Sequence, residues 1–252
     1  MRIDSEKCCG CGACAVACTL SRQNVITARR NSKNGKIYYE INEDECVECG
    51  VCLRESGCAT GALFQPEMDY PRILRSQFSD PKVLHPKTNG GGRGTEEMKT
   101  NELTGKIKPG YVGIMVEMGR PNVGCWFTDV QTVTTGLADL DITFEERNPT
   151  AYLFDDIKKG TFPEEVLQQK VMSAIIELRC TEEYAPVVLR RIRELAKKVN
   201  TCFSVGMISC FGDNYYFPGE EICRRADWEP YPNGKLNIGV GRIVEEALGK
   251  EY

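Results

Sequence analysis

The chain is poor in histidine: His85 is the only one in 252 residues. That scarcity excludes any metal site built on several imidazoles and leaves a single candidate for a histidine general base, so triad-type hydrolase chemistry lacks its parts from the outset. Long apolar runs are missing too. No stretch approaches the roughly 18 residues needed to cross a bilayer, and a membrane span is not expected. Nor is there a basic excess: 32 Lys and Arg stand against 36 Asp and Glu, a formal net charge of -4 with a pI near 5.4, which argues against a general nucleic-acid binder. The opening MRIDSEKC has no apolar region of the kind a secretory leader carries, so a reducing cytoplasm is the expected location and disulfides are not expected. The rest of the composition, 41% hydrophobic and 27% charged, is that of a globular chain long enough for two modest domains.

What is abundant is cysteine, 14 in all, and nine of these fall between residues 8 and 58. Cys8, Cys11, Cys14 and Cys18 form CxxCxxCxxxC, and Cys46, Cys49, Cys52 and Cys58 form CxxCxxCxxxxxC. An iron-sulfur cubane needs four thiolates at the corners of a tetrahedron; three of them two residues apart on a tight loop reach three irons, and the fourth arrives from elsewhere. Gly10, Gly12, Ala13 and Gly50 are small enough to let each loop curl closely around inorganic sulfide with backbone N-H groups directed at it. Paired CxxC units also make four-thiolate zinc sites, but zinc ribbons use two isolated pairs with a longer spacer, not triplets with a distant fourth.

These runs, together with CGAC, CVECGVC and the ending CATGAL, resemble the bacterial two-cluster [4Fe-4S] ferredoxins over the first sixty-odd residues. The resemblance implies two [4Fe-4S] clusters with the fourth cysteine of each run serving the other cluster. Carried over, cluster one takes Cys8, Cys11, Cys14 and Cys58, and cluster two takes Cys46, Cys49, Cys52 and Cys18. Three departures stand out. The family's proline after the fourth cysteine is Thr19 in the first run and Ala59 in the second, LRESG lengthens the second run by two residues before Cys58, and Cys9 is an extra thiol beside Cys8.

Residues 1–66 are thus read as a ferredoxin domain. Residues 67–110, with Pro71, Pro81, Pro86 and NGGGRG, show no persistent period and read as an extended connector. Residues 111–211 show strand, helix, strand, then strand, helix, strand: YVGIMVEM, a helix through Phe127, Val130, Val133, Thr134 and Leu137, DITFE, VMSAIIELRC, a helix opened by Thr181 and Pro186, and TCFSVGMISCF. That order is the split βαβ, or ferredoxin-like, sandwich, and GRPNVGC between its first strand and helix adds a resemblance to ACT-like domains by element order. The fold class is therefore α+β, with residues 212–252 a tail packed on the domains and carrying a short helical stretch, IVEEALG.

Weaker signals accompany these. Gly90, Gly91, Gly92, Arg93 and Gly94, with His85, Lys87 and Lys99 near them in sequence, make a candidate anion nest, although a flexible turn is the ordinary reading. Gly239 and Gly241 imitate the start of a dinucleotide fingerprint, but no βαβ unit can follow. Cys180, Cys202, Cys210 and Cys223 read as ordinary small residues, while Cys125, in a turn before a helix, is a candidate for a thiol of lowered pKa. Arg190, Arg193 and Lys197 share one helix face, solvated or docked on an acidic partner. Glu43, Asp44, Glu45 and Glu48 form a candidate acidic steering rim.

No residue is assigned a catalytic role. The expected function is single-electron transfer, as the ferredoxin-type subunit of a multi-subunit oxidoreductase in anaerobic metabolism. The expected partner is a redox protein or another subunit, and the βαββαβ unit is a candidate homo-oligomer interface. The alternative is a redox- or ligand-sensing protein that uses the ACT-like unit.

Overall fold

In the computed structural model, residues 1–89, 105–212 and 216–231 are described. The glycine run from Gly90 to Gly94, Lys99, and the tail with Gly239, Gly241 and IVEEALG lie outside the described residues.

The N-terminal unit has little apolar material to fold around. Its buried cluster comprises Met1, Ala17, Val25, Ile26, Ile41 and Leu63 together with Cys18, Cys46 and Cys52, and a unit of this size with so small a core ordinarily needs a staple such as a metal. Its elements are correspondingly short. Strand β1 (Arg2–Ile3) pairs antiparallel with β4 (Leu63–Phe64), closing the two ends of the unit on each other. Between them lie α1 (Ala13–Leu20), the hairpin β2 (Ile26–Arg30) and β3 (Ile37–Ile41), and α2 (Val51–Glu55). Each helix follows a cysteine loop through a left-handed glycine, Gly12 at φ 79° and Gly50 at φ 68°, a conformation only glycine adopts without strain.

The stretch read as an extended connector contains a helix. α3 (Ile73–Gln77) buries Leu74, Arg75 and Ser76, and Leu74 and Phe78 join the core of the C-terminal unit. Phe78 meets Phe127 edge-on, with ring centroids 5.6 Å apart. A helix of five residues flanked by Pro71 and Pro81 is too short to display a period, which is why the pattern does not reveal it.

In the C-terminal unit, β5 (Tyr111–Met118) is flanked by β9 (Ala174–Thr181) and β10 (Phe203–Ser209), with β7 (Thr143–Phe144) beyond β9; every neighbouring pair is antiparallel, and the spatial order is β10-β5-β9-β7. A separate two-residue ribbon pairs β6 (Cys125–Trp126) with β8 (Lys170–Val171). Alternate residues of β5, Val112, Ile114, Val116 and Met118, and of β9, Ala174, Ile176, Leu178 and Cys180, face one core, as the period of two requires. Onto it pack α4 (Phe127–Leu137) through Phe127, Val130, Val133 and Leu137, and α6 (Ala185–Ala196) through Val188, Leu189, Ile192 and Leu195. Burying each of these side chains contributes about 1.5–3 kcal/mol. Gly136 lets the two helices approach, since a Cβ there would collide with Leu195. A short helix, α5 (Glu164–Leu167), precedes β8, and α7 (Pro218–Arg225) adds Ile222 to the same core. No helix among the described residues is long and apolar enough to cross a membrane.

Candidate metal centre

The eight cysteines of the two runs divide between two cavities. Cys8, Cys11, Cys14 and Cys58 line one of about 320 Å³, counted out to open solvent, with Tyr39, Ile3 and Leu63 on its walls. Cys18, Cys46, Cys49 and Cys52 line the other, of about 330 Å³ counted the same way, with Met1, Val25, Ile26 and Ile41. Each set takes three thiols from one run and the fourth from the other, because α1 carries Cys14 at its start and Cys18 one turn later. The longer second run still delivers Cys58 to the first cavity. Among the described residues no three His, Cys, Asp or Glu side chains are grouped as they would be around one metal ion; the thiols are spread around a cavity instead of closing on a point.

The loops are shaped by close backbone approach. A Cβ on Gly10 would stand 2.6 Å from the carbonyl oxygen of Ile37, and one on Gly12 would stand 2.7 Å from the Tyr39 hydroxyl. In the second loop, Glu48 holds the position equivalent to Gly10, also at positive φ (56°). A Cβ on Gly50 would collide with Arg54 and Asp80. Neither α1 nor α2 has a side-chain N-cap; at the start of α1 the Ala15 N-H donates to the Gly12 carbonyl at 3.0 Å.

The cavities differ in depth. In the first, Cys8 is buried, Cys14 and Cys58 are half-buried and Cys11 is exposed; in the second, Cys18, Cys46 and Cys52 are buried and Cys49 is half-buried. Burial, with Glu48 and neighbouring thiols adding to it, pushes Cys46 up to about 11 and Cys52 up to about 12. Burial also raises Cys14 and Cys49. Cys58 is lowered, chiefly by the Leu63 N-H. The raised thiols of Cys46, Cys49 and Cys52 stay protonated at neutral pH unless cationic metal compensates their charge, and a set of four cysteines around one space fits a metal-thiolate cluster.

Three guanidinium groups grip the loop of the second cavity. Arg75 donates to the carbonyls of Glu43, Asp44 and Cys46 at 3.1, 2.6 and 2.9 Å. The same group reaches Gln169 Oε1 at 2.9 Å and the Gln168 carbonyl at 3.2 Å, so it fastens the cysteine loop to the C-terminal unit. Arg54 donates to the Cys49 carbonyl and to Asp80, both at 2.7 Å. Arg72 pairs with Glu48 at 2.5 Å, and Glu48 also accepts from the N-terminal amine.

The acidic rim expected from the sequence is therefore largely used internally. Glu48 is wholly buried, Glu43 pairs with Arg2 and Glu45 pairs with Lys170; Asp44 stays exposed, its main-chain carbonyl alone bonding Arg75. Cys125 is corrected as well: it is buried in β6, not exposed at a helix start, and burial pushes its thiol up to about 12. Cys180 is likewise raised to about 12, Cys210 donates to the Ile107 carbonyl, Cys223 is buried and Cys202 exposed; none of the five lines either cavity. Cys9 does line the first.

His85 is a core histidine, stacked on Tyr152 at 6.0 Å and edge-on to Phe78, its pKa lowered by burial and then by Lys87. Arg190 and Arg193 donate to the carbonyls of Arg225 and Asp227, which holds α7 in place, while Lys197 pairs with Glu194.

Comparison with known proteins identifies the class of the N-terminal unit: residues 7–62 match the family model described as a 4Fe-4S dicluster domain. Among curated proteins, the chain is similar to an iron-sulfur subunit of the CoB--CoM heterodisulfide reductase of Methanocaldococcus jannaschii, at 30% identity over 70 residues. That match covers 24% of this chain and 10% of the relative, so the chain spans about a tenth of the length of the curated protein it matches. No solved structure matches the chain.

Proposed function

We propose that the chain is an electron-transfer protein that holds two [4Fe-4S] clusters, one by Cys8, Cys11, Cys14 and Cys58 and the other by Cys46, Cys49, Cys52 and Cys18. The observation that carries this reading is the sorting of eight thiols into two cavities, each with three members of one run and one of the other. Such clusters, when bound, take up and release single electrons. The chain's own residues hold the thiols in place, shield the second set from water and surround its loop with guanidinium groups. The similarity to a protein named as an iron-sulfur component of a reductase supports a place within a multi-subunit oxidoreductase, with substrate chemistry on a partner.

In this reading residues 1–66 form the ferredoxin domain and residues 67–110 the connector, anchored by α3. Residues 111–211 form a ferredoxin-like sandwich, supported by the order β10-β5-β9-β7, which is strand order 4-1-3-2 for a βαββαβ chain. The tail packs on this unit through α7.

The test is iron and acid-labile sulfide per chain on anaerobically purified protein, with low-temperature electron paramagnetic resonance after dithionite reduction. About eight irons matched by sulfide, with a spin-coupled reduced spectrum, is the expected result. About four irons, or zinc without sulfide, overturns it.

A further inference from the structure

One exposed hairpin of the N-terminal unit carries a cluster of positive charge. The hairpin formed by β2, β3 and the turn between them carries Arg29, Arg30, Lys33 and Lys36 against the single carboxylate of Glu40, a net +3 on a chain of net -4, leaving -7 for everything else. Beyond Ile26, β2 is exposed on both faces, as are the turn residues 32–36 and Ile37. Its charge is thus displayed to solvent, although three of the four cations also make local contacts: Arg29 pairs with Glu40 at 2.9 Å, Arg30 donates to the Gly35 carbonyl at 3.3 Å, and Lys36 donates to a carbonyl of the first cysteine loop.

The turn has a definite shape. Asn31 and Asn34 accept through their side chains from the Lys33 and Lys36 N-H groups at 2.9 and 3.0 Å, the Asn31 N-H donates to the Lys36 carbonyl at 2.9 Å, and Gly35 supplies the positive φ of 71°. One edge of the ribbon, β3, runs along the first cavity: near the turn the Ile37 carbonyl abuts Gly10, further along the Tyr39 hydroxyl abuts Gly12, and Tyr39 is part of the cavity wall. Lys36 reaches the loop itself, donating to the Glu6 carbonyl at 2.8 Å. This cavity also has the exposed thiol, Cys11, whereas of the acids around the second, Glu48 is buried and Glu43 and Glu45 are paired, with Asp44 exposed.

We propose that the β2-β3 hairpin is the docking arm for an acidic electron-carrying protein, which it seats over the first thiol cavity. The inference rests on the electron-transfer reading for what is exchanged, and on charge complementarity for the partner. Cations held at a fixed height beside a shallow site raise the local concentration of an anionic surface and orient it on approach. A basic two-stranded ribbon is also a shape that enters nucleic-acid grooves, so that occupant is included in the test.

The test compares the loaded protein with its Arg30→Glu/Lys33→Glu variant, which takes the hairpin from +3 to -1 through two side chains at the tip. The first readout is anisotropy of a fluorescein-labelled 20-residue polyglutamate peptide. Binding that weakens steeply with salt and drops at least tenfold in the variant is expected. The second is stopped-flow oxidation of dithionite-reduced protein by anionic Co(edta)⁻ and by cationic Co(NH₃)₆³⁺. At 10 mM ionic strength the variant should slow the anion about fivefold and speed the cation, the effect of four charge units acting over roughly 10 Å, and both changes should shrink at 0.5 M salt. Unchanged peptide affinity and unchanged rates in the variant, or preference of the hairpin for a 20-base-pair DNA duplex over the peptide, overturn the proposal. A chain that carries no reducible cluster defeats the electron-transfer reading instead, and the peptide measurement still decides whether the arm binds acidic surfaces.

Discussion

Replacing Arg75 by methionine probes the joint between the cysteine loop and the C-terminal unit. The guanidinium is buried and donates to three loop carbonyls, those of Glu43, Asp44 and Cys46, and to Gln168 and Gln169 across the joint, while lying 5.7 Å from the Trp126 ring centroid. Methionine keeps much of the stem and its packing but leaves buried acceptors without their donor. A single hydrogen bond to a charged group is worth about 1.5–3 kcal/mol, and such bonds sharing one side chain do not add. We expect about 4 kcal/mol, a fall of about 10 °C in the thermal transition at this chain length. The assay is thermal unfolding under anaerobic conditions, followed in parallel by far-UV circular dichroism and by visible cluster absorbance. Loss of absorbance should precede loss of helix in the variant, because the loop is released before the sheet melts. Arg75→Lys, with fewer donors and no planar fork, should fall between. If Arg75→Met melts within 1 °C of the parent in both signals, the joint is not where this reasoning places it.

Four other outcomes are expected. Cys11→Ala should take iron from about eight to about four per chain by removing one thiol from the first cavity, and Cys180→Ser should leave iron unchanged; equal iron in all three proteins would refute the ligand assignment. Gly12→Ala combines positive φ with a Cβ 2.7 Å from the Tyr39 hydroxyl, and should cost about 1–2 kcal/mol from the backbone alone, read as a lower melting point and slower reconstitution of the first cluster. Glu48→Gln should destabilise the chain by about 3 kcal/mol by leaving Arg72 without its buried carboxylate partner, measured by denaturant unfolding; a change under 0.5 kcal/mol would contradict it. With Cys125 and Cys180 raised to about 12, both are neutral thiols at pH 8 and should resist iodoacetamide there, whereas exposed Cys202 should react before either, as peptide mapping will show.

The parts of this structure that announce themselves in sequence are those with a rigid spacing or period. CxxCxxC places three thiols on one loop whatever surrounds it, and the alternation in YVGIMVEM puts Val112, Ile114, Val116 and Met118 on one face. The parts that do not are set by tertiary pairing. Nothing local distinguishes Arg75 from a solvated arginine, because its partners lie about thirty residues before it and about ninety after it. Glu43, Glu45 and Glu48 look like free members of an acidic rim only while Arg2, Lys170 and Arg72 are out of view. Cys125 misleads for a related reason: the two residues of β6 pair with β8, some 45 residues on, and that pairing buries the thiol. The hairpin does carry a readable signal, Asn34-Gly35 between ITARR and IYYEI, which is the composition of a tight turn between strands.

The two cavities have the same thiol chemistry and opposite surroundings, and that contrast has a direction. The second is lined by Met1, Val25, Ile26 and Ile41, an apolar wall that disfavours any added negative charge. Three arginines oppose this: Arg54 on the Cys49 carbonyl, Arg75 on that of Cys46, and Arg72 on Glu48. The first cavity relies on water at Cys11 and on the cationic hairpin beside it. Positive charge thus accompanies both sites, internal at the deep one and displayed to solvent at the shallow one. Fixed cations reorganise little when the charge beside them changes, while displayed cations are free to meet a partner. An electron-transfer chain needs both properties: a shallow site that opens to exchange, and a deep site held steady against the C-terminal unit by Arg75.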